Sequence, residues 1–221
     1  MARHKRGFDC QSATRQLIRN DPLFKPWVKR IGPLDHSAGW RRPFLVVDAL
    51  ARAVLYQQLS GKAAATIVSR VEAAMGVPQF SHGSLKRLTD AELRACGVSG
   101  NKVLALRDLA RRETEGEIPD TRQLQYLSNQ QIIDALVPTR GIGRWTVEMM
   151  LMFRLGRSDV LPVDDLGIRK GAQLLDSLPD MPAPKLLQAR GQQWQPVQTM
   201  ASFYLWRIAD FKQPAVKRSQ D

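Results

Sequence analysis

Apolar residues recur at intervals of three and four along most of the chain. In residues 43–58, PFLVVDALARAVLYQQ, the positions of Leu45, Val46, Ala49 and Ala53 follow this spacing. The pattern places apolar side chains on one face of an α-helix. No segment shows the strict alternation that is typical of a β-strand. The pattern therefore predicts an all-α fold of about ten to twelve helices.

Polar residues at the predicted helix starts support this prediction. Thr89 is followed three residues later by Glu92, which is the pattern of a capping box. Ser128 precedes the apolar run NQQIIDALV and is expected to cap it. Ser12 and Asp21 are likewise expected to be N-caps near the start of the chain.

Two segments of the chain share one arrangement, namely residues 93–106, LRACGVSGNKVLAL, and residues 136–149, LVPTRGIGRWTVEM. Each runs from a predicted helix through a glycine-containing turn into a second helix. Residues 145–156, WTVEMMLMFRLG, are apolar on nearly all sides and predict a central, buried helix. Trp194 and Tyr204 are also expected in the core.

Charge indicates the class of partner. The 221 residues include 33 Lys and Arg against 21 Asp and Glu, a formal net charge of +12, and nucleic acid is the commonest physical explanation of such an excess. Two cysteines and three scattered histidines exclude a disulfide framework and predict no zinc or iron–sulfur site. No apolar run reaches the roughly 18 residues of a membrane span. The basic start, MARHKRGFDCQ, lacks a following apolar segment, so no secretory leader is expected.

The Gly-Ile-Gly turn at residues 141–143 suits the binding of an anion. Glycines let the backbone approach a ligand closely, and the N–H groups at a helix start attract negative charge. Arg140 and Arg144 flank the turn and add positive charge. A plain turn between two packed helices is the alternative interpretation.

In its order of helices and turn, this region resembles the helix–hairpin–helix motif. Together with YQQLSGKAA (56–64) and DVLPVDDLGIRK (159–170), it is similar to the helix–hairpin–helix–Gly/Pro–Asp superfamily of DNA glycosylases, DNA-3-methyladenine glycosylase II type. The similarity covers residues 12–211. It implies two helical subdomains with the DNA cleft between them. One subdomain would comprise residues 12–42 plus 121–211 and the other residues 43–120, with a tail at 212–221.

The resemblance implies roles for individual residues. Asp165 corresponds to the catalytic aspartate, and its neighbour Asp164 would shape the loop. Trp145 stands where bifunctional relatives carry a catalytic lysine, which implies a glycosylase without AP lyase activity. Trp145 and Met149 would line the base pocket. The wedge that fills the gap left by a flipped nucleotide would be Gln58, with Leu59 beside it.

The expected DNA contacts lie in the glycine-containing turns and at the starts of the helices that follow the turns and the wedge loop. They are Gly141, Gly143, Arg140, Arg144, Lys62, Ser99, Gly100 and Lys102. The resemblance also implies a structural Na⁺ or K⁺ at the hairpin, held by the backbone carbonyls of Val137, Thr139 and Ile142, and no cofactor for catalysis. The chain departs from many relatives in having Thr139-Arg140 before the hairpin, where they have an apolar residue and proline. It also has Val197 where some relatives have a pocket tryptophan.

The expected function is that of a monofunctional DNA glycosylase in base excision repair. It would flip alkylated bases such as 3-methyladenine out of duplex DNA and hydrolyse their N-glycosidic bonds. We expect a monomer without membrane contacts, located at the nucleoid if bacterial and in the nucleus if eukaryotic. The alternatives are a DNA-binding helix–hairpin–helix module without catalysis, a glycosylase for oxidised or mismatched bases, and a structural helical adaptor.

Overall fold

The computed structural model describes residues 3–211, and its regular secondary structure in that range is entirely helical. The all-α prediction is therefore confirmed, and no helix of this range is both long and apolar enough to cross a bilayer. The predicted tail, 212–221, lies outside the described residues. Within them the α-helices are α1 (Cys10–Asn20), α2 (Phe24–Ile31), α3 (Ser37–Arg41), α4 (Val46–Tyr56), α5 (Gly61–Met75), α6 (His82–Leu85), α7 (Asp90–Ala95), α8 (Gly100–Thr114), α9 (Asn129–Leu136), α10 (Arg144–Met150), α11 (Leu166–Leu175), α12 (Pro184–Gly191) and α13 (Gln198–Ala209).

The described residues fall into two compact units. The first comprises residues 3–6 and 39–155, and the second residues 7–38 and 156–211. This division differs from the predicted one, because residues 121–155 belong with the segment 43–120. The reason is packing: α10 contacts α4 as well as α9, which ties the hairpin to the first unit. The DNA cleft stays a prediction.

The first unit is built around α4, α8 and α10. α4 packs against α5, α8 and α10, and α8 also packs against α6 and α7. Their apolar faces, including Leu50, Leu106 and Val147, are almost fully buried. The predicted buried helix is confirmed over most of its length, and α10 continues as one π-helical turn, Leu151–Leu155. The predicted capping box at the start of α7 is also present.

The second unit is centred on α11 and α13, which pack closely together. α13 also contacts α1 and α2. Trp194 and Tyr204 are fully buried, as predicted, and the Phe24 ring meets Trp194 edge-on with the ring centroids 5.6 Å apart. These large side chains form part of the core of the second unit.

Two predicted N-caps near the start of the chain are wrong. α1 begins at Cys10, and its cap is Asp9, whose carboxylate accepts the Ser12 N–H. Asp21 directly follows α1, and the N-cap position of α2 is Leu23. The Asp21 carboxylate is buried, and its Oδ1 accepts the Leu23 N–H at 3.2 Å. It accepts hydrogen bonds from the Trp194 indole at 2.8 Å and from Arg190 at 2.6 Å. The sequence could not reveal these partners, which are distant along the chain.

Candidate functional site

The Gly-Ile-Gly turn joins α9 to α10 as a closed hairpin. The carbonyl of Thr139 accepts the Ile142 N–H at 3.0 Å. Gly141 has φ +78, a left-handed conformation that favours glycine. A Cβ at this position would lie only 3.2 Å from the Cβ of Ala105 on α8. Glycine is therefore needed here both for the backbone conformation and for close packing against the first unit's core.

The hairpin ends in exposed donors of hydrogen bonds. Gly143 directly precedes α10, and no side chain caps the first N–H groups of this helix. A Cβ at Gly143 would meet nothing within 4 Å. Arg140 and Arg144 are both exposed. The Nε–H of the Arg144 guanidinium donates to the Glu148 carboxylate at 3.0 Å. Backbone N–H groups and two guanidinium groups of this kind can hold a phosphate.

Asp108 on α8 fixes the hairpin, a role that sequence reasoning missed. Its Oδ2 accepts the Arg140 N–H at 2.8 Å. Burial would raise the pKa of Asp108, but hydrogen bonds from that N–H, Arg111 and Arg112 outweigh it and lower the pKa. From the sequence alone, Asp108 is expected only to form surface ion pairs with Arg111 and Arg112.

The three carbonyls predicted to hold a cation belong to the same hairpin. Val137 directly follows α9, at a helix end, where backbone carbonyls lack helical partners. The Thr139 carbonyl already accepts one N–H, and the Thr139 hydroxyl oxygen is buried without a hydrogen-bond partner. Neutral oxygens of this kind suit Na⁺ or K⁺ better than a transition metal. The donor set fits the cation, whose binding stays a prediction.

A cavity of about 740 Å³ lies in the first unit, between α4 and α10. Three of the predicted site residues line it together: Gln58, Trp145 and Met149. Trp145 is 48% exposed, so it is not the core tryptophan that a buried helix would otherwise suggest. Sequence reasoning missed Tyr56 and Phe153, which also line this cavity. The available signal for Tyr56 was an aromatic residue at the end of α4, two residues before the predicted wedge residue Gln58.

The cavity wall can recognise a flat, positively charged group. Its volume is in the range of small-molecule sites, about 300–1,000 Å³. Trp145 and Tyr56 are both large aromatic residues with more than two-fifths of their surface exposed. The electron-rich face of an aromatic ring attracts a cation, and tryptophan does so most strongly.

The predicted wedge lies in the loop between α4 and α5. Gln58 has φ +57, an uncommon conformation for a residue other than glycine. Gln58, Leu59 and Lys62 are all exposed, and Lys62 lies in the first turn of the next helix. The loop can therefore reach a ligand, and the wedge role of Gln58 and Leu59 stays a prediction.

The second glycine-containing turn joins α7 to α8, so both predicted helix–turn–helix units are present. Ser99 directly precedes α8, and its side chain makes no capping hydrogen bond. Gly100 begins that helix. Lys102 is already engaged within the protein, because its ammonium donates to the backbone carbonyls of Leu55 and Gln57. Its contact with a DNA phosphate stays a prediction.

Asp165 belongs to the second unit and directly precedes α11. Its Oδ1 accepts the Ile168 N–H at 2.9 Å and the Trp206 indole N–H at 2.8 Å. A Cβ at Gly167 would lie 2.8 Å from the indole, so only glycine leaves the ring in place. Sequence reasoning missed Trp206, which is 41 residues away and carries no local signal of this role.

A sequence model described as the HhH-GPD superfamily of base excision DNA repair proteins matches residues 51–196. The chain belongs to this superfamily. The match contains the wedge loop, the hairpin and the segment around Asp165. The resemblance drawn from those three motifs is therefore confirmed, while the roles of the individual residues stay predictions.

Relatives in the superfamily match nearly the whole chain. DNA-3-methyladenine glycosylase 1 of Schizosaccharomyces pombe is 38% identical over 92% of this chain and 92% of its own length. Among solved structures, the S. pombe 3-methyladenine DNA glycosylase in complex with abasic DNA is 34% identical with a TM-score of 0.74, covering 91% of this chain and 100% of that one. A DNA-3-methyladenine glycosidase from Bacillus halodurans is 32% identical with a TM-score of 0.80, covering 89% and 88%.

Proposed function

We propose that the protein is a monofunctional DNA glycosylase of the DNA-3-methyladenine glycosylase II type, which hydrolyses the N-glycosidic bond of alkylated bases such as 3-methyladenine in duplex DNA. The observation that carries the proposal is the exposed ring of Trp145 on the wall of a cavity of about 740 Å³, which is within the range of small-molecule sites. Alkylation of a purine nitrogen makes the base cationic, and a tryptophan face attracts a cation. The names of the relatives from S. pombe and B. halodurans agree with this substrate class.

Asp165 supplies the charge that the chemistry needs. Departure of a base leaves positive, oxocarbenium-like charge on the sugar, and a carboxylate stabilises that charge and orients the attacking water. The hydrogen bonds from Ile168 and Trp206 hold Oδ1 in a fixed direction. Because a cationic base is already a good leaving group, a separate strong general acid is not required.

Strand cleavage is not expected. A lyase reaction requires an amine that attacks the sugar and forms a Schiff base. The side chain of Trp145, at the position where bifunctional relatives carry that lysine, has no nucleophilic amine. The enzyme therefore leaves an intact abasic site.

Binding to duplex DNA rests on charge and on the hairpin. The net charge of +12 favours association with the phosphate backbone in general. Arg140, Arg144 and the N–H groups that follow Gly143 would hold one phosphate, and a Na⁺ or K⁺ on the hairpin carbonyls would reinforce this contact. Gln58 and Leu59 would fill the gap left by the flipped nucleotide. The protein acts as a monomer in the compartment that holds the genome.

Three other functions explain less of the molecule. A DNA-binding module without catalysis leaves the oriented carboxylate of Asp165 without a role. A structural adaptor does not need the excess of positive charge. A glycosylase for oxidised or mismatched bases would bind a neutral base, for which the exposed aromatic rings of Tyr56 and Trp145 offer no cation-specific advantage.

The first experiment measures base release by the wild-type protein. Duplex DNA methylated with a simple alkylating agent is incubated with the protein, and free purines are separated by chromatography. We expect release of 3-methyladenine, intact strands until alkali is added, and no release of 8-oxoguanine from an oxidised duplex of the same sequence. Release of the oxidised base alone, or binding without any release, would overturn the proposal.

Trp206→Phe should slow base release without preventing folding. The phenyl ring keeps most of the packing but removes the N–H that Asp165 accepts. The effect expected from losing an orienting hydrogen bond is roughly 10-fold in the single-turnover rate. Gly167→Ala should have a similar effect, because its methyl group would push the indole away from the carboxylate.

The matched control is Trp27→Phe, in the same unit. The Trp27 ring packs edge-on against Phe211, whereas the indole that donates to Asp165 is that of Trp206. This variant should release base at the wild-type rate. A Trp206→Phe rate equal to that of Trp27→Phe would show that the indole hydrogen bond does not assist Asp165.

A further inference from the structure

The loop at residues 57–60 needs support to keep its shape. α4 ends at Tyr56, and Ser60 caps α5 by accepting the Ala63 N–H. Between these two helices Gln58 adopts a left-handed conformation with φ +57. A residue other than glycine keeps this conformation only where the surrounding structure holds it there.

Lys102 supplies one part of that support. Its Nζ donates to the carbonyl oxygens of Leu55 and Gln57, each at 2.8 Å. These carbonyls lie at the C-terminal end of α4, where backbone oxygens lack helical partners and the helix dipole attracts a cation. The lysine is partly buried, and burial lowers its pKa. One ammonium thus holds the backbone carbonyls of Leu55 and Gln57 together, at the point where the chain leaves α4 and reaches Gln58.

The side chain of Gln57 supplies a second tether. Its Nε2 donates to the carbonyl of Gly141 in the hairpin at 2.9 Å. The loop at 57–60 is consequently joined to α8 through Lys102 and to the hairpin through Gln57. All of these contacts lie within the first unit.

We propose that Lys102 is a positioning residue for base flipping, and that this role replaces the phosphate contact expected from the sequence. Lys102 holds the loop at 57–60 in the conformation that presents Gln58 and Leu59 to the duplex. The inference rests on the proposed function, since only an enzyme that extrudes a nucleotide needs a rigid wedge. Lys102 acts through the loop, so its loss slows flipping and base release while leaving the first association with DNA intact.

Salt dependence separates this role from a phosphate contact. Loss of one phosphate contact weakens binding to every duplex and lowers the slope of log K against log salt by about 1. Loss of loop support leaves that slope unchanged. It slows nucleotide flipping, and therefore base release, because a misplacement of about 1 Å costs on the order of 100-fold in rate.

The test compares Lys102→Arg and Lys102→Met with Lys62→Met. Arginine keeps the charge and binds phosphate well, but its longer side chain and planar guanidinium would have to reach the two carbonyls with different nitrogens and so displace the loop. We expect both Lys102 variants to release 3-methyladenine about 10- to 100-fold more slowly in single-turnover assays at saturating protein. Both should also give a smaller fluorescence change from 2-aminopurine beside the lesion. Their salt slope on unmodified duplex DNA should equal the wild-type slope, whereas Lys62→Met should lower it by about 1.

Two results would overturn the inference. One is a wild-type rate of release for Lys102→Arg, which retains the charge and is expected to fold. The other is a salt slope for Lys102→Met that falls as it does for Lys62→Met, with normal release at saturation. If the wild-type protein releases no base in this assay, both the proposed function and the inference fail. If the wild-type protein releases base and the Lys102 variants do so at the same rate, only the positioning role of Lys102 fails.

Discussion

Asp165→Asn should abolish most base release while leaving DNA binding and folding intact. Asparagine keeps an oxygen that can accept the Ile168 and Trp206 N–H groups, and it is as good an N-cap as aspartate. It lacks the negative charge that the proposed mechanism uses to stabilise the sugar cation. We expect the single-turnover rate of 3-methyladenine release to fall about 1,000-fold. The stability of the protein should change by less than about 1 kcal/mol.

The measurement requires rate, binding and folding together. Release is followed from methylated duplex DNA, binding from the mobility of a duplex that contains an abasic-site analogue, and folding from circular dichroism. Asp164→Asn is the matched control. Asp164 is the exposed neighbour of Asp165, and its substitution removes the same negative charge. It should reduce the rate by less than about threefold. Equal rates for the two variants would remove Asp165 from the mechanism.

Gly171→Ala should have the largest effect on stability. Gly171 is buried in α11 at the contact with α13, and a Cβ there would lie 2.1 Å from the carbonyl oxygen of Leu205 and 2.6 Å from its carbonyl carbon. Both are backbone atoms, so no rotation of a side chain relieves the overlap. The two helices must separate, which should cost about 3 kcal/mol or more of the free energy of unfolding. Because α11 carries Asp165 at its start, base release should fall as well.

Urea unfolding followed by far-UV circular dichroism measures this effect. Gly61→Ala is the control: Gly61 is the first residue of α5, and a Cβ there would meet nothing within 4 Å. That variant should be unchanged or stabilised by up to about 1 kcal/mol, because alanine restricts the unfolded chain. An unfolding midpoint for Gly171→Ala close to that of Gly61→Ala would show that α11 and α13 leave room for a methyl group between Gly171 and the backbone of Leu205.

Part of the site could be predicted because its signals are local. Two glycines mark the hairpin at 141–143, and Thr89 and Glu92 form their capping box within four consecutive residues. Trp145 and Met149 are one helical turn apart, so their presence on the wall of one cavity follows from the helix alone. Predictions of this kind depend only on helical periodicity and on the termini of helices.

Other predictions were wrong, and some roles were not predicted, because the residues concerned contact partners that are distant along the chain. Asp21 precedes a proline and has the pattern of an N-cap, but the indole of Trp194 and the guanidinium of Arg190 bury its carboxylate. Residues 121–155 were expected to join the second unit. Their packing on α4 places them in the first.

Local signals in the sequence indicated the helical class and the glycine turns, because apolar periodicity, helix caps and turns act over a few residues. The superfamily was indicated by the resemblance of three motifs to known glycosylases, and the family model confirms it. Tertiary structure decided how the functional groups are held. Trp206 reaches Asp165 across 41 residues, and Lys102 reaches Leu55 across 47. Such hydrogen bonds form between groups that only packing brings within about 3 Å of each other, and no local pattern of residue types encodes that distance.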